Sequence, residues 1–392
     1  MAYFHDFFAL CLEEKLIKLK ILFTIPNFDT AGSGKALLNV AKNLDKHIFE
    51  PQIACFHNRG KYFKVVEKEG IPVHIYQTSH EMIPRFKGLI NCIKLAKYFK
   101  MLKVDLIHSF HYGADYSEAL ASKIAGIPWV YTKKNMNWGG LSKNGWYLRT
   151  FLANYILAQN KDMITEFFHN SNKVSIVQRG VDLTEFKKSN EDISFKKELG
   201  LDSDCKIILC VANLHPAKGV EVLIKSFVSL IRRKPNLKLF IVGEKNNEYA
   251  KDLKRLAKKS GHCRDIIFTG KVYDVKKYYS FADLFILPTL NRGRREGCPV
   301  ALLEAISSNT SVLASRTSGI KDILERFDDV LFEPGNIPQL SKKIEEKLFT
   351  QKFKRIDIQV LKHIKKNFDI KIEAKKHEDI YKKLLYKKEI MS

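Results

Sequence analysis

The sequence predicts an α/β protein: two doubly wound, mostly parallel sheets, then C-terminal helices. Three observations lead there. Short apolar runs bounded by turn residues alternate with helical patterns along most of the chain, as βαβ units covered on both faces require. The alternation restarts after a polar stretch, Lys187 to Asp192, that reads as a linker. A length of 392 residues is enough for two domains of ordinary size, each with its own core. The expected divisions are a leader over 1–18, a first domain over 19–186, a second over 193–355 and helices over 356–392.

Composition narrows the class. A hydrophobic content of 45% with 11% aromatics belongs to a folded protein. The net charge of +24 suits an anionic partner, whether phosphate, acidic lipid or nucleic acid. No helix-turn-helix, zinc-finger or RNA-binding pattern supports nucleic acid. Seven cysteines, odd in number and without a C-x-x-C pair, read as reduced thiols of a cytoplasmic protein. No stretch approaches the roughly 18 to 20 apolar residues of a membrane span. The first 15 residues have too short an apolar run for a signal peptide and no basic region before it. They read as a leader, with an amphipathic surface helix as the alternative.

The first predicted strand, Leu19 to Ile25, runs through a loop over Pro26–Gly34 into a helix from Lys35 to Leu44. Strand, glycine loop and helix is the order used by nucleotide-binding sheets. Gly32, Ser33, Gly34 and Lys35 do not make a P-loop, which needs Gly at Asp29 and Ser or Thr at Ala36. Leu37 likewise occupies the third glycine position of G-x-G-x-x-G. What remains is a loop that lets backbone approach a ligand, or a simple tight turn. Further strands are predicted at Gln52–Phe56, Val73–Ile75, Leu106–His108, Trp129–Thr132 and Tyr155–Leu157. Helices are predicted at Lys61–Glu69, Leu89–Phe99, Ala114–Ala125 and Asp162–Phe168. His108 and His111 follow a strand, where such sheets place ligands, but nothing completes a metal set around them.

The second half repeats the pattern with strands at Ile207–Val211, Leu237–Val242 and Ile266–Phe268. Lys218 opens the helix Val220–Ile231, a compact cation beside exposed N–H groups and a candidate for phosphate. A buried-type run, Asp283 to Pro288, precedes Glu296-Gly-Cys-Pro-Val-Ala-Leu-Leu-Glu304. Gly297 permits a tight backbone and Pro299 suits the first helical position. The helix Val300–Ser307 is apolar almost all round except for Glu304. A carboxylate there must find partners: hydroxyls of a ligand, or an arginine such as Arg316. A strand, a helix N-terminus and a shielded carboxylate together suggest a nucleotide-sugar site. From Gln351 the chain reads as basic helices in which lysines interleave with Leu361, Ile364, Phe368 and Ile372.

The stretch Glu296–Ile323 resembles the signature of the family 4 glycosyltransferases, retaining enzymes of the GT-B fold, two Rossmann-like domains facing across a cleft. The likeness extends to Val211–Gly219, Ile241–Glu244, Ile267–Gly270 and Ala282–Pro288, in family order. It implies that Glu296 contacts the donor sugar, that Glu304 binds the ribose hydroxyls and that Lys218 serves the diphosphate. Gly297, Cys298, Pro299, Val300, Asn213, Arg295 and Val272 would line the donor site, with the base held near Lys271–Tyr273. Gly32, Ser33 and Gly34 would lie over the phosphates and acceptor, and His111 and Lys134 would line the acceptor side. Three positions depart from the family pattern. Asn213 stands where an Arg is common, so Arg292, Arg294 or Arg295 is expected to compensate. Lys134 stands near a usual His, and Arg179 replaces the usual Asn before Gly180. The last helix would cross back to the first domain.

The implied activity is transfer of a sugar from a nucleotide diphosphate sugar to a hydroxyl of a glycan or lipid-linked acceptor, in polysaccharide, lipopolysaccharide or glycolipid synthesis. No cofactor and no metal are expected, since no D-x-D-type run follows a strand. The implied location is the cytoplasm, peripheral on an acidic membrane surface, with no nucleic acid partner. The rivals are a nucleotide-sugar epimerase-type enzyme and a non-catalytic basic binding protein.

Overall fold

The computed structural model describes residues 18–29, 31–60, 62–137, 143–187, 192–202, 204–272, 274–293, 295–350 and 354–391. Most of the predicted leader and linker, with Tyr273 and Arg294, lie outside the described residues. Two parallel sheets organise the rest. The first takes β1 (Leu19–Thr24), β2 (Phe49–Cys55), β3 (Val73–Ile75), β4 (Leu106–Ser109), β5 (Trp129–Lys133), β6 (Tyr155–Ala158) and β7 (Val174–Ile176). Their order is β3-β2-β1-β4-β5-β6-β7. The second takes β8 (Lys206–Val211), β9 (Leu237–Val242), β10 (Ile266–Gly270), β11 (Leu284–Leu287), β12 (Ser311–Ser315) and β13 (Leu331–Phe332), in the order β10-β9-β8-β11-β12-β13.

In each sheet the chain begins at the centre, steps outward one way, then returns and steps the other way. The reversal falls between β1 and β4 in the first sheet and between β8 and β11 in the second, both parallel pairs. Loops leaving the two central strands therefore diverge and open a crevice beyond their C-terminal ends. The central strands are apolar without alternation because helices cover both faces: Ile207 to Cys210 and Leu284 to Ile286 are fully buried.

Contacts divide the described residues into two compact units, one within Met1–Thr132, Trp138–Leu157 and Ala374–Ser392, the other within Lys133–Asn137 and Ala158–Glu373. The basic C-terminal stretch is shared between them. Val360, Ile364 and Phe368, on and just beyond the helix Lys354–Asn367, join the core of the second unit. The helix Ile370–Met391 gives its later turns to the first unit, as expected of the last helix. There the Tyr381 hydroxyl meets His108 Nδ1 at 2.6 Å, and Glu378 accepts from the Asp45 amide at 2.8 Å.

Two local expectations fail. The helix after β1 spans Ala31–Asn43, so Gly32, Ser33 and Gly34 form its first turn and not a loop. Space explains Gly34: a Cβ there would come within 2.7 Å of the Phe28 ring. Pro299 is also one position earlier than expected, the cap of the helix Val300–Ser307 and not its first residue.

Candidate functional site

The site grows from the two loops that leave the switch strands of the second sheet. After β8 the chain makes a short 3-10 turn, Pro216–Lys218, capped by the His215 ring accepting from the Ala217 amide at 3.2 Å. Gly219 follows in the left-handed region at φ 62°, and a Cβ on it would overlap the Pro288 carbonyl oxygen after β11. Both conditions demand glycine. The Leu290 amide donates to the Ala217 carbonyl at 2.8 Å, tying one loop to the other. This brings Lys218 to Glu296: the ammonium donates to the carboxylate, and both side chains are mostly buried.

The backbone of Glu296 and Gly297 is held from several sides. Asn135 forms an antiparallel bridge with Glu296, and the Met136 amide donates to the Arg295 carbonyl at 3.4 Å. A Cβ on Gly297 would overlap the Lys134 carbonyl, and one on Gly319 would overlap the Gly297 carbonyl. Lys134, predicted on the acceptor side, thus meets the predicted donor loop through its main chain. Asn160 donates to the Gly297 carbonyl at 2.8 Å. Cys298 is buried, and burial pushes its thiol up to about 12, so it stays a neutral packing group.

Glu304 lies in the second turn of Val300–Ser307, on its buried side. Arg316, the alternative partner, instead binds Asp328 at 3.0 Å and Glu333 at 3.1 Å. Glu304 Oε2 accepts from the Tyr279 hydroxyl at 3.0 Å. Burial, with the carboxylate beside it, raises Tyr279 well above the usual range, so it remains a donor. Tyr279 carries no local signal in the sequence because its link to Glu304 exists only across the fold.

The expected auxiliary groups divide. Asn213 is exposed in the loop after β8, and Val272 is half-buried against the core after β10. Arg292 pairs with Glu221 at 2.9 Å, and Arg295 pairs with Glu166 at 2.7 Å and reaches the Met136 carbonyl at 3.4 Å. Glu221 also accepts from Tyr249, whose hydroxyl takes the Val220 amide at 3.0 Å. The first N–H of the helix after Lys218 is therefore already engaged.

In the first unit, Ser33 lies in the first turn of the helix after β1 and His111 follows β4. Ser33 bonds the Tyr112 hydroxyl. His111 is buried, with Nε2 3.0 Å from Thr78 Oγ1 and 3.9 Å from Glu118. Burial raises the Glu118 carboxyl, which accepts from Ser109 at 2.5 Å. His108 is a core residue, bonded by Tyr381 and by Thr132 at 2.8 Å. Among the described residues no group of three His, Cys, Asp or Glu could hold a metal ion, and no helix is long and apolar enough to cross a membrane.

Comparison with known proteins settles the family. A model described as glycosyl transferases group 1 matches residues 191–357, and one described as glycosyltransferase family 4 matches residues 30–185. The chain belongs to the family 4 glycosyltransferases. It is 28% identical over 245 residues to the uncharacterised glycosyltransferase MJ1069 of Methanocaldococcus jannaschii, covering 59% of each chain. The match thus spans less than two thirds of that relative. A glycosyltransferase structure from Rickettsia africae aligns at a TM-score of 0.82 with 22% identity, covering 94% of this chain and 99% of that one. Anabaena HepE in complex with UDP and glucose aligns at 0.79 with 20% identity, covering 92% and 98%. These likenesses agree with the GT-B fold of this family 4 glycosyltransferase.

Proposed function

We propose that this glycosyltransferase is a retaining, metal-independent hexosyltransferase that moves a sugar from a nucleoside diphosphate donor to a hydroxyl of a glycan or lipid-linked acceptor. The meeting of Lys218 and Glu296 at the switch point of the second sheet carries the reading. A fixed cation there stabilises the negative charge that grows on the leaving diphosphate. Glu296, freed from Lys218 when phosphate takes its place, addresses the sugar. Glu304, with one oxygen fixed by Tyr279, accepts from the ribose hydroxyls. The acceptor hydroxyl approaches on the face from which the phosphate departs, which retains the anomeric configuration. The UDP and glucose bound by Anabaena HepE support a donor of this class.

The same reading places the enzyme on the cytoplasmic face of an acidic membrane, in the synthesis of polysaccharide, lipopolysaccharide or glycolipid. Support comes from the helix Arg85–Met101, which has no acidic residue and exposes Phe86 (77%), Leu89, Ile90 and Ile93 among Arg85, Lys87, Lys94 and Lys97. A panel of nucleotide sugars with lipid and glycan acceptors, scored for nucleotide release, tests the proposal. Acceptor-dependent release from at least one donor is expected, and absence of release from every donor would overturn it.

A further inference from the structure

We infer that Asn160 is a positioning residue that sets the Glu296–Gly297 peptide, and through it the carboxylate that meets the donor sugar. The inference rests on the proposed role of Glu296. Asn160 is fully buried and uses the two ends of its amide differently. Its oxygen accepts from the Met163 amide at 2.8 Å and caps the helix Lys161–Phe167. Its nitrogen donates to the Gly297 carbonyl at 2.8 Å and lies 3.4 Å from the Glu296 carbonyl. Asp, Ser or Thr would cap this helix as well as Asn does. Of the common caps, Asn adds an amide donor that reaches across to the neighbouring loop.

The neighbours of that donor show why it matters. Gln159, oriented to accept from Arg179 Nε at 2.6 Å, donates to the Lys134 carbonyl at 3.3 Å. That carbonyl lies against Gly297, whose own carbonyl faces Asn160 on one side and Gly319 on another. Arg179 is in turn held by Glu373 at 2.9 Å, both buried. The peptide that carries Glu296 is therefore fixed by a side-chain donor anchored in a helix cap, and not by its own loop alone. A catalytic carboxylate displaced by about 1 Å loses on the order of a hundredfold in rate.

Asn160→Asp keeps the cap and turns the donor end into an acceptor facing two carbonyls. Asn160→Ser also caps, but its hydroxyl is one bond shorter and carries no charge, which guards against a variant that fails to fold. Each should lower kcat roughly ten- to a hundredfold, as expected for an unsatisfied buried carbonyl. Free nucleoside diphosphate affinity by calorimetry should stay within about twofold, because Glu304 and Lys218 are untouched. A crystal structure of either variant should show the Glu296–Gly297 peptide shifted and the helix Lys161–Phe167 intact. Wild-type kcat in both variants, or an unmoved peptide, would overturn the inference. Equal loss of nucleotide affinity and rate would also overturn it, by showing a merely structural role. A wild-type protein that releases nucleotide from no donor would instead sink the proposed function, and the peptide shift would still decide the role of Asn160.

Discussion

At the scale of single residues, the two glutamates sit in different surroundings and should fail differently. Glu304 is shielded on a buried helix face with one oxygen held by Tyr279, a setting suited to two hydroxyls of a ribose. Glu296 lies in a loop against Lys218. A charged hydrogen bond to a ligand is worth about 1.5 to 3 kcal/mol. Glu304→Ala should therefore weaken free nucleotide and nucleotide sugar alike, by roughly ten- to a hundredfold. Glu296→Ala should leave free nucleotide affinity nearly intact and depress transfer. Calorimetry beside a transfer assay separates the two, and equal loss of nucleotide in both variants would refute the division. Lys218→Ala should cost roughly a hundred- to a thousandfold in turnover, as for other fixed donors at a developing anion. Asn213→Arg, at an exposed position, should be tolerated. Wild-type turnover without the Lys218 ammonium would mean that the phosphates bind elsewhere.

At the scale of elements, the site depends on how the loops after β8 and β11 close on each other. Gly219→Ala forces a side chain into the left-handed region and into the Pro288 carbonyl, so backbone must move. Strain of this kind costs about 1 to 3 kcal/mol. A lower melting temperature with lost transfer is expected, and an unaltered melt would show the loops to be more yielding than the packing implies. The helix Arg85–Met101 buries Cys92, Leu95, Ala96 and Phe99 and turns its basic, apolar face outward. Each basic residue near an acidic leaflet contributes about 1 kcal/mol. Flotation with acidic liposomes should show binding that weakens with salt and is reduced by Phe86→Asp with Ile90→Asp. Equal binding to neutral vesicles would contradict an electrostatic attachment.

Most strands and the helix Val300–Ser307 are legible because unbroken apolar runs have few other uses in a chain of this charge, whereas the two-residue strand Leu331–Phe332 is too short to stand out. The helix Ala31–Asn43 was read four residues short because Gly32 and Gly34 look like a loop, while Gly34 is there to clear Phe28. The helix Glu248–Lys259 was missed because it buries only Ala250, Leu253 and Ala257, a stripe too thin to stand out among its charges. Lys218 could be singled out from local pattern and Glu296 from the family resemblance, but their meeting depends on strand order. Tyr279 left no local signal. Asn160 left one, an Asn before a helix, which identifies a cap but not the loop held by its other end.

At the scale of the whole molecule, family membership and the two parallel sheets hold for the chain, while the chemistry rests on the proposal. Retaining transfer, an epimerase-type reaction and simple binding differ in what happens to the anomeric carbon of the donor. Following the anomeric proton of a nucleotide sugar by NMR, with the enzyme and with or without an acceptor, compares all three at once. The donor signal should decay only when acceptor is present, replaced by a glycoside of the same anomeric configuration. An inverted product, or decay without acceptor into a new nucleotide sugar, would contradict retaining glycosyl transfer.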